Sequence, residues 1–136
     1  MVQDILIVDD ESDIRSLIAG ILEDEGYETR EAASSQDAFL AIEKRQPSLI
    51  ILDVWLQDSE LDGLQLLERI RKENPNQQVL MISGHATFDM AVSATKMGAY
   101  DFLTKPFKTD VLIHTIGRAV EDIRLREENK TLRTRS

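Results

Sequence analysis

The sequence predicts an α/β fold in which five consecutive βα units surround a parallel sheet, and three observations predict it. Short apolar runs alternate five times with segments of helical periodicity. The third run, Leu49-Ile50-Ile51-Leu52, is apolar at every position, as in a strand buried on both faces. The 136 residues fit one domain, and 42% hydrophobic with 30% charged residues is the balance of a folded globular chain.

Taken in order, Ile5 to Val8 reads as the first strand. Ile14, Leu17, Ile18, Ile21 and Leu22 then recur at i, i+3, i+4, i+7 and i+8, an amphipathic helix with Ser12 or Asp13 as its N-cap and Gly26 as its stop. Tyr27 to Ala32 is a weaker strand, followed by a helix over Ser35 to Arg45 that carries Ala38, Ala41 and Ile42 and that Pro47 blocks from continuing. After the third strand comes a polar loop, Gln57 to Asp62, and a helix with Leu64, Leu67 and Ile70 on one stripe, closed by Asn74-Pro75. Val79 to Ile82 and Tyr100 to Leu103 are the fourth and fifth strands.

The helix between them, Ala86 to Met97, has Phe88 and Val92 on one side and Met90 and Met97 elsewhere, so it has no single face to bury and should dock weakly. The last helix starts near Thr109 with Leu112, Ile116, Ala119 and Ile123 as its stripe. From Thr109 to Arg133 it would extend about 37 Å, further than the sheet needs. Leu125, Asn129 and Leu132 follow the 4,3 spacing of a single coiled-coil heptad, and a solvated helix end is the simpler use of that segment.

Charge and composition exclude several functions. Lys and Arg number 16 against 25 Asp and Glu, a formal charge of -9 that repels a polyanion, so this segment should not itself bind DNA. Residues 118–136 carry six basic and four acidic groups, which leaves ten against twenty-one in residues 1–117: the acidity belongs to the globular part. The absence of Cys removes disulfides and thiolate chemistry, and two histidines far apart, His85 and His114, argue against zinc. The start has no basic signal-peptide region and the apolar runs are far too short to span a bilayer, so the chain reads as cytoplasmic with no membrane partner.

In an open α/β sheet ligands bind beyond the carboxyl ends of the strands, at the point where strand order reverses. Asp9 and Asp10 follow the first strand, Asp53 the third, Ser83-Gly84 the fourth and Lys105-Pro106 the fifth. Each alone is an ordinary cap, strand terminator or turn. Together, on one edge of one small domain, they form a pocket of three carboxylates, a hydroxyl and an ammonium, provided that the first and third strands are neighbours. Clustered carboxylates raise a pKa or demand a cation, and an all-oxygen ligand set with room for water suits Mg²⁺. A carboxylate beside Mg²⁺ can attack phosphorus to give an acyl phosphate, and Asp53, fixed by a strand end, is the best nucleophile.

As a set, Ile7-Val8-Asp9-Asp10-Glu11, Leu52-Asp53, Asp62-Gly63, Ser83-Gly84-His85 and Lys105-Pro106-Phe107 resemble a response-regulator receiver domain, over residues 4 to about 124, and within that family the NtrC/NtrX branch. The resemblance implies a CheY-like (βα)5 doubly wound sheet of strand order 2-1-3-4-5 with an extended C-terminal helix. It implies that Asp53 accepts phosphate from a cognate sensor histidine kinase. Asp10, Asp53 and the backbone carbonyl of Trp55 would hold Mg²⁺, with Asp9 acting mainly through water. Ser83 and Lys105 would bond phosphoryl oxygens, the Lys105-Pro106 peptide would be cis, and Phe102 would be the switch aromatic that fills the space Ser83 vacates.

Full-length members of that branch add an ATPase domain and a DNA-binding helix-turn-helix. Residues 1–124 are accordingly read as the receiver, and residues 125–136 as the start of a helical linker toward an output domain absent from this chain. A homodimer through the fourth helix, fifth strand and fifth helix is expected. Two departures from the family stand out: the loop Val54 to Asp62 is longer than usual and lacks Pro, and Phe102 lacks the hydroxyl of the commoner Tyr. Two other functions remain open. A Mg²⁺-dependent phosphohydrolase would need a second Asp where this chain has Trp55, and a receiver-like dimerisation module that is never phosphorylated would normally have lost its acidic pocket.

Overall fold

The computed structural model describes residues 3–85 and 87–135, the last five of them by their backbone alone. Five strands, β1 (Asp4–Val8), β2 (Glu28–Ala32), β3 (Leu49–Asp53), β4 (Gln78–Ser83) and β5 (Asp101–Thr104), form one parallel sheet in the order β2-β1-β3-β4-β5. Five helices alternate with them: α1 (Ser12–Asp24), α2 (Ser35–Lys44), α3 (Gly63–Glu73), α4 (Phe88–Lys96) and α5 (Thr109–Arg135). The predicted fold class and strand order are thus observed, with β1 and β3 adjacent.

The continuous apolar runs exist because both faces of the sheet are covered. Alternate residues divide between two cores. Leu6, Val8, Ile50, Leu52, Val79 and Met81 face Ala38 of α2, Leu66, Leu67 and Ile70 of α3 and Ala94 of α4. Ile5, Ile7, Leu49, Ile51, Leu80 and Ile82 face Ile18, Ala19 and Leu22 of α1 and the expected stripe Leu112, Ile116, Ala119 and Ile123 of α5. The edge strands differ: of β2 only Ala32 is buried, and β5 is half-buried at best.

Several local expectations are corrected. The cap of α1 is neither Ser12 nor Asp13 but Glu11, whose side chain makes no cap bond. The Asp9 carboxylate accepts the Glu11 N–H at 2.9 Å, which fixes the turn that leads from β1 into the helix. Leu17, placed on the buried stripe by its spacing, is exposed, because Ile18 and Leu22 already fill the contact with the sheet. On α3 Leu66 is fully buried and Leu64 only partly, a rotation of the stripe that the capping box of Asp62 and Gln65 sets at the helix start.

The fourth helix does lack a committed face: only Ala94 is buried, and Phe88 is 82% exposed. Ala86, where that helix was expected to begin, lies outside the described residues. In α5, which continues without a break to Arg135, Leu125 is exposed, and the side chain of Leu132 lies outside the described residues.

Away from the strands' carboxyl ends, the buried carboxylate of Asp4 is fully enclosed by cations. Arg30 donates to both of its oxygens at 3.1 and 2.7 Å, and Arg45 to one at 3.1 Å. Arg30 also donates to the carbonyls of Ala41 and Arg45, both at 2.7 Å, so that one guanidinium joins β2, β1 and the end of α2. Breaking one partner of a buried pair strands the other charge, whereas replacing both need not. Arg30→Leu is therefore expected to cost about 2–3 kcal/mol. The double variant Asp4→Leu/Arg30→Leu should cost less than the single one, as compared by urea unfolding.

Candidate functional site

The point at which strand order reverses lies between β1 and β3, and there the chain places its acids. Asp53 is the last residue of β3, Asp9 follows β1, and both are buried; Asp10 is half-buried beside them. One carboxylate oxygen from each of Asp9, Asp10 and Asp53 lies within 4.8 Å of the others. From the end of β5, Lys105 reaches across with its Nζ 2.8 Å from Asp9 and 3.4 Å from Asp53. The Lys105-Pro106 peptide is cis, as expected from the resemblance.

Ser83, the last residue of β4, is buried, and its hydroxyl accepts the His85 N–H at 3.1 Å. Its carbonyl accepts the Lys105 N–H at 2.8 Å, which links the two strand ends that carry the hydroxyl and the ammonium. Phe102 pairs with Met81 in the sheet and packs half-buried on the core shared with Met90, Ala94 and Met97 around α4. The side chain of Trp55 points away into solvent, lining an open cleft of 420 Å³ with Leu56, Gln57 and His85, and so only its backbone is available to the acids.

The backbone around Asp53 is fixed by close approach. The Val54 N–H donates to Ile82 at 3.0 Å and the Val54 carbonyl accepts from Gly63 at 2.8 Å. A Cβ at position 63 would come to 2.6 Å from the Val54 Cα and collide with the Asp53 carbonyl, so glycine alone fits where α3 begins. The Asp62-Gly63 pair thus has two jobs: a helix cap, and a seat for the Asp53-Val54 peptide. Asp10 is held by the Gln57 N–H at 3.1 Å. Arg15 of α1 donates to the Asp9 carbonyl at 2.7 Å and to Glu31 of β2 at 3.1 Å, which secures the β1–α1 turn.

Three anions against one ammonium leave the site short of positive charge. Burial first, and the charge of Asp9 second, push the Asp53 carboxyl up from 3.8 to about 6, with Lys105 and the Trp55 backbone opposing. Burial works against the Lys105 charge, yet its hydrogen bond to Asp9 and the nearby charges of Asp53 and Asp9 outweigh it and hold the lysine above its usual pKa. The pocket is built to receive a positive partner. Its donors are all oxygens, which suits a hard divalent ion such as Mg²⁺.

The sequence reading brought together Asp9, Asp10, Asp53, Lys105 and Ser83 correctly as neighbours of one edge. It missed Arg15 and Gln57, which act through backbone groups. Arg15 follows Asp10 by little more than one helical turn, but nothing in its neighbours' pattern marks it as an anchor rather than a surface charge.

Comparison with known proteins gives the same direction. The family model described as "Response regulator receiver domain" matches residues 5–117, a span that includes every residue of the candidate site. A curated relative, "Nitrogen assimilation regulatory protein NtrX" from Azorhizobium caulinodans, is 54% identical over 133 residues, covering 98% of this chain and 29% of the relative. Crystallised NtrX from Brucella abortus superposes with a TM-score of 0.91 at 55% identity, over 97% of this chain and 30% of that one. A structure titled "Solution structure of the beryllofluoride-activated NtrC4 receiver domain dimer" is 39% identical, with a TM-score of 0.82, covering 88% of this chain and 98% of that one. The chain therefore spans about a third of the length of the NtrX proteins it matches.

A proton on Asp53 is bound more tightly in the folded chain than in the unfolded one, so stability falls as pH rises from about 4 to about 6 and levels off above. In metal-free buffer Asp53→Asn should remove that slope. It should exceed the parent by about 2 kcal/mol above pH 6 and match it near pH 4, as followed by urea unfolding. A variant less stable than the parent at pH 7 would contradict an anion-strained pocket.

Proposed function

We propose, on the premise that this chain belongs to the response regulator receiver domain family, that it accepts a phosphoryl group on Asp53 from a sensor histidine kinase and relays the change to an effector that controls transcription. The observation that carries this reading is the convergence of Asp9, Asp10 and Asp53 within 4.8 Å, with Lys105 bound to two of them, where the strand order reverses. The family match over residues 5–117 and the likeness to NtrX proteins support it.

Each residue then has a task. The Asp53 oxygen, ionised at neutral pH despite its raised pKa, attacks the phosphorus of the kinase's phosphohistidine and forms the acyl phosphate as the P–N bond breaks and the imidazole leaves, taking up a proton. Lys105 exchanges part of its pairing with Asp53 for a phosphoryl oxygen, and Ser83 donates its hydroxyl to another. Mg²⁺ would be held by Asp10, Asp53 and the Trp55 carbonyl, with Asp9 through water, and would offset the charge that gathers on the phosphoryl oxygens. Asp9 keeps its bonds to Lys105 and Glu11 throughout, which orients the ammonium. Movement of Ser83 toward the phosphoryl group frees space into which Phe102 can turn, and the weakly docked α4, directly after Ser83, is the element free to respond. No turnover beyond the chain's own phosphorylation and dephosphorylation is proposed.

On this reading residues 1–124 are the receiver, and residues 125–136 begin a linker to an output domain. The protein works in the cytoplasm; among the described residues no helix is long and apolar enough to cross a membrane. Incubation with acetyl phosphate and Mg²⁺ is expected to add the mass of one phosphoryl group, located at Asp53 by peptide mapping. Removal of Mg²⁺ by chelation, or Asp53→Asn, should abolish the addition. Phosphate found at another position would overturn the assignment.

The receiver is further proposed to form a homodimer through α4, β5 and α5. Tyr100 donates to Asp122 at 2.9 Å and Arg118 lies 3.8 Å from Asp101, so β5 and α5 already form one continuous polar face. The NtrC4 receiver, similar over most of this chain, is described as a dimer in its beryllofluoride-activated form. Sedimentation velocity should show more dimer with beryllofluoride than without; a strict monomer at high concentration in both would refute the proposal.

A further inference from the structure

The long, Pro-free loop between β3 and α3 has to be held by something other than proline. Its near end is fixed by the Val54 bonds to Ile82 and Gly63, but its middle leaves the body of the domain, passing Asp58 at a left-handed φ of 52°. There it meets the start of α2. The Ser59 hydroxyl accepts the Ser35 N–H at 2.8 Å and donates to the Leu61 carbonyl at 2.7 Å, and the two serine hydroxyls are 3.0 Å apart. The hydroxyl of Ser35, itself buried, accepts the Leu61 N–H at 3.1 Å and donates to Gln36 Oε1 at 3.0 Å. The same Gln36 oxygen accepts the Glu60 N–H at 3.1 Å. Three successive loop residues are thus bound to the first two residues of α2.

We propose that Ser59, clasped to Ser35 and Gln36, is a positioning residue for the metal site. The inference rests on the receiver reading above. The clasp fixes the outer half of a loop whose inner half carries the Trp55 carbonyl, a proposed ligand, and the Gln57 N–H that holds the Asp10 carboxylate. Ser59 touches neither metal nor phosphate and acts only through those two groups. Residues that orient metal ligands from outside the coordination shell commonly change affinity by 10- to 100-fold.

The chain's one tryptophan, Trp55, reports on this loop directly. Wild type, Ser59→Ala and Ser59→Thr are titrated with MgCl₂ while Trp55 emission is followed. Ser59→Ala is expected to weaken Mg²⁺ binding about tenfold, and Ser59→Thr, which keeps the hydroxyl, to stay within about twofold of the parent. In an Asp10→Asn background Ser59→Ala should cause a smaller loss than in the parent, because only the Trp55 carbonyl remains of the two groups through which it acts. At saturating Mg²⁺ the rate of phosphorylation of Ser59→Ala by acetyl phosphate should return to that of the parent. Should Ser59→Ala fail to fold, Gln36→Ala removes the acceptor of the Glu60 N–H and of the Ser35 hydroxyl but leaves the Ser59 bonds in place, and is expected to shift affinity in the same direction by a smaller factor. Unchanged Mg²⁺ affinity in the folded variants, or an equal loss in the Asp10→Asn background, overturns the proposal. If wild type binds Mg²⁺ but gains no phosphoryl group, the receiver function fails while the titration still decides the role of Ser59.

Discussion

Everything specific to this domain follows from an electrostatic imbalance: three carboxylates whose oxygens come within 4.8 Å, served by one ammonium. In a buried setting such a group cannot be neutral by internal pairing alone. Asp53 responds by holding its proton up to about pH 6, and the site as a whole by attracting whatever hard cation is present. A site kept short of positive charge is also one that a phosphoryl group and its counter-ion can complete. The strain is small beside the burial that holds the sheet, which is why the domain can carry it.

That burial has a particular form. Because β1, β3 and β4 are covered on both faces, their ends are rigid, and residues at those ends inherit the precision of the sheet. Asp53 and Ser83 are themselves the last residues of strands, while Asp9 and Lys105 come one residue later. The backbone completes the task. Gly63 is packed against the Asp53-Val54 peptide so closely that no side chain fits, and Arg15 holds the Asp9 carbonyl from α1. The acids cannot move apart to relieve their repulsion without breaking these bonds.

The architecture was legible because it is written in short-range pattern. Apolar runs of four to six residues alternate with 3.6-residue periodicity, and the chemistry-bearing residues stand immediately after the runs. The same logic explains the failures. Spacing places Leu17 on the buried side of α1, but how much of a stripe is covered depends on the width of the sheet beneath it, and Ile18 and Leu22 suffice. The N-cap of α1 falls on Glu11, one residue before the expected Ser12, and the N–H of that residue is held by the carboxylate of Asp9, a residue of the site. The pairing of Ser59 with Ser35, twenty-four residues apart, has no periodicity and no neighbouring signal. The sequence shows that the loop is long, and only the fold shows what holds it.

Asp4 and Asp53 make the division of labour in this fold explicit. Both are buried aspartates on parallel strands, Asp4 at the start of β1 and Asp53 at the end of β3. Asp4 is enclosed by two guanidiniums that between them make three hydrogen bonds to it, and its charge is spent on tying β2 and α2 to the sheet. Asp53 shares a single ammonium with Asp9, at the longer of the two distances. A carboxylate fully paired with arginine is a poor nucleophile, since its lone pairs are already engaged in charge-assisted bonds. Leaving Asp53 underpaired therefore keeps a carboxylate oxygen free, the property that the proposed attack on phosphorus requires, at the expense of stability at that end of the sheet.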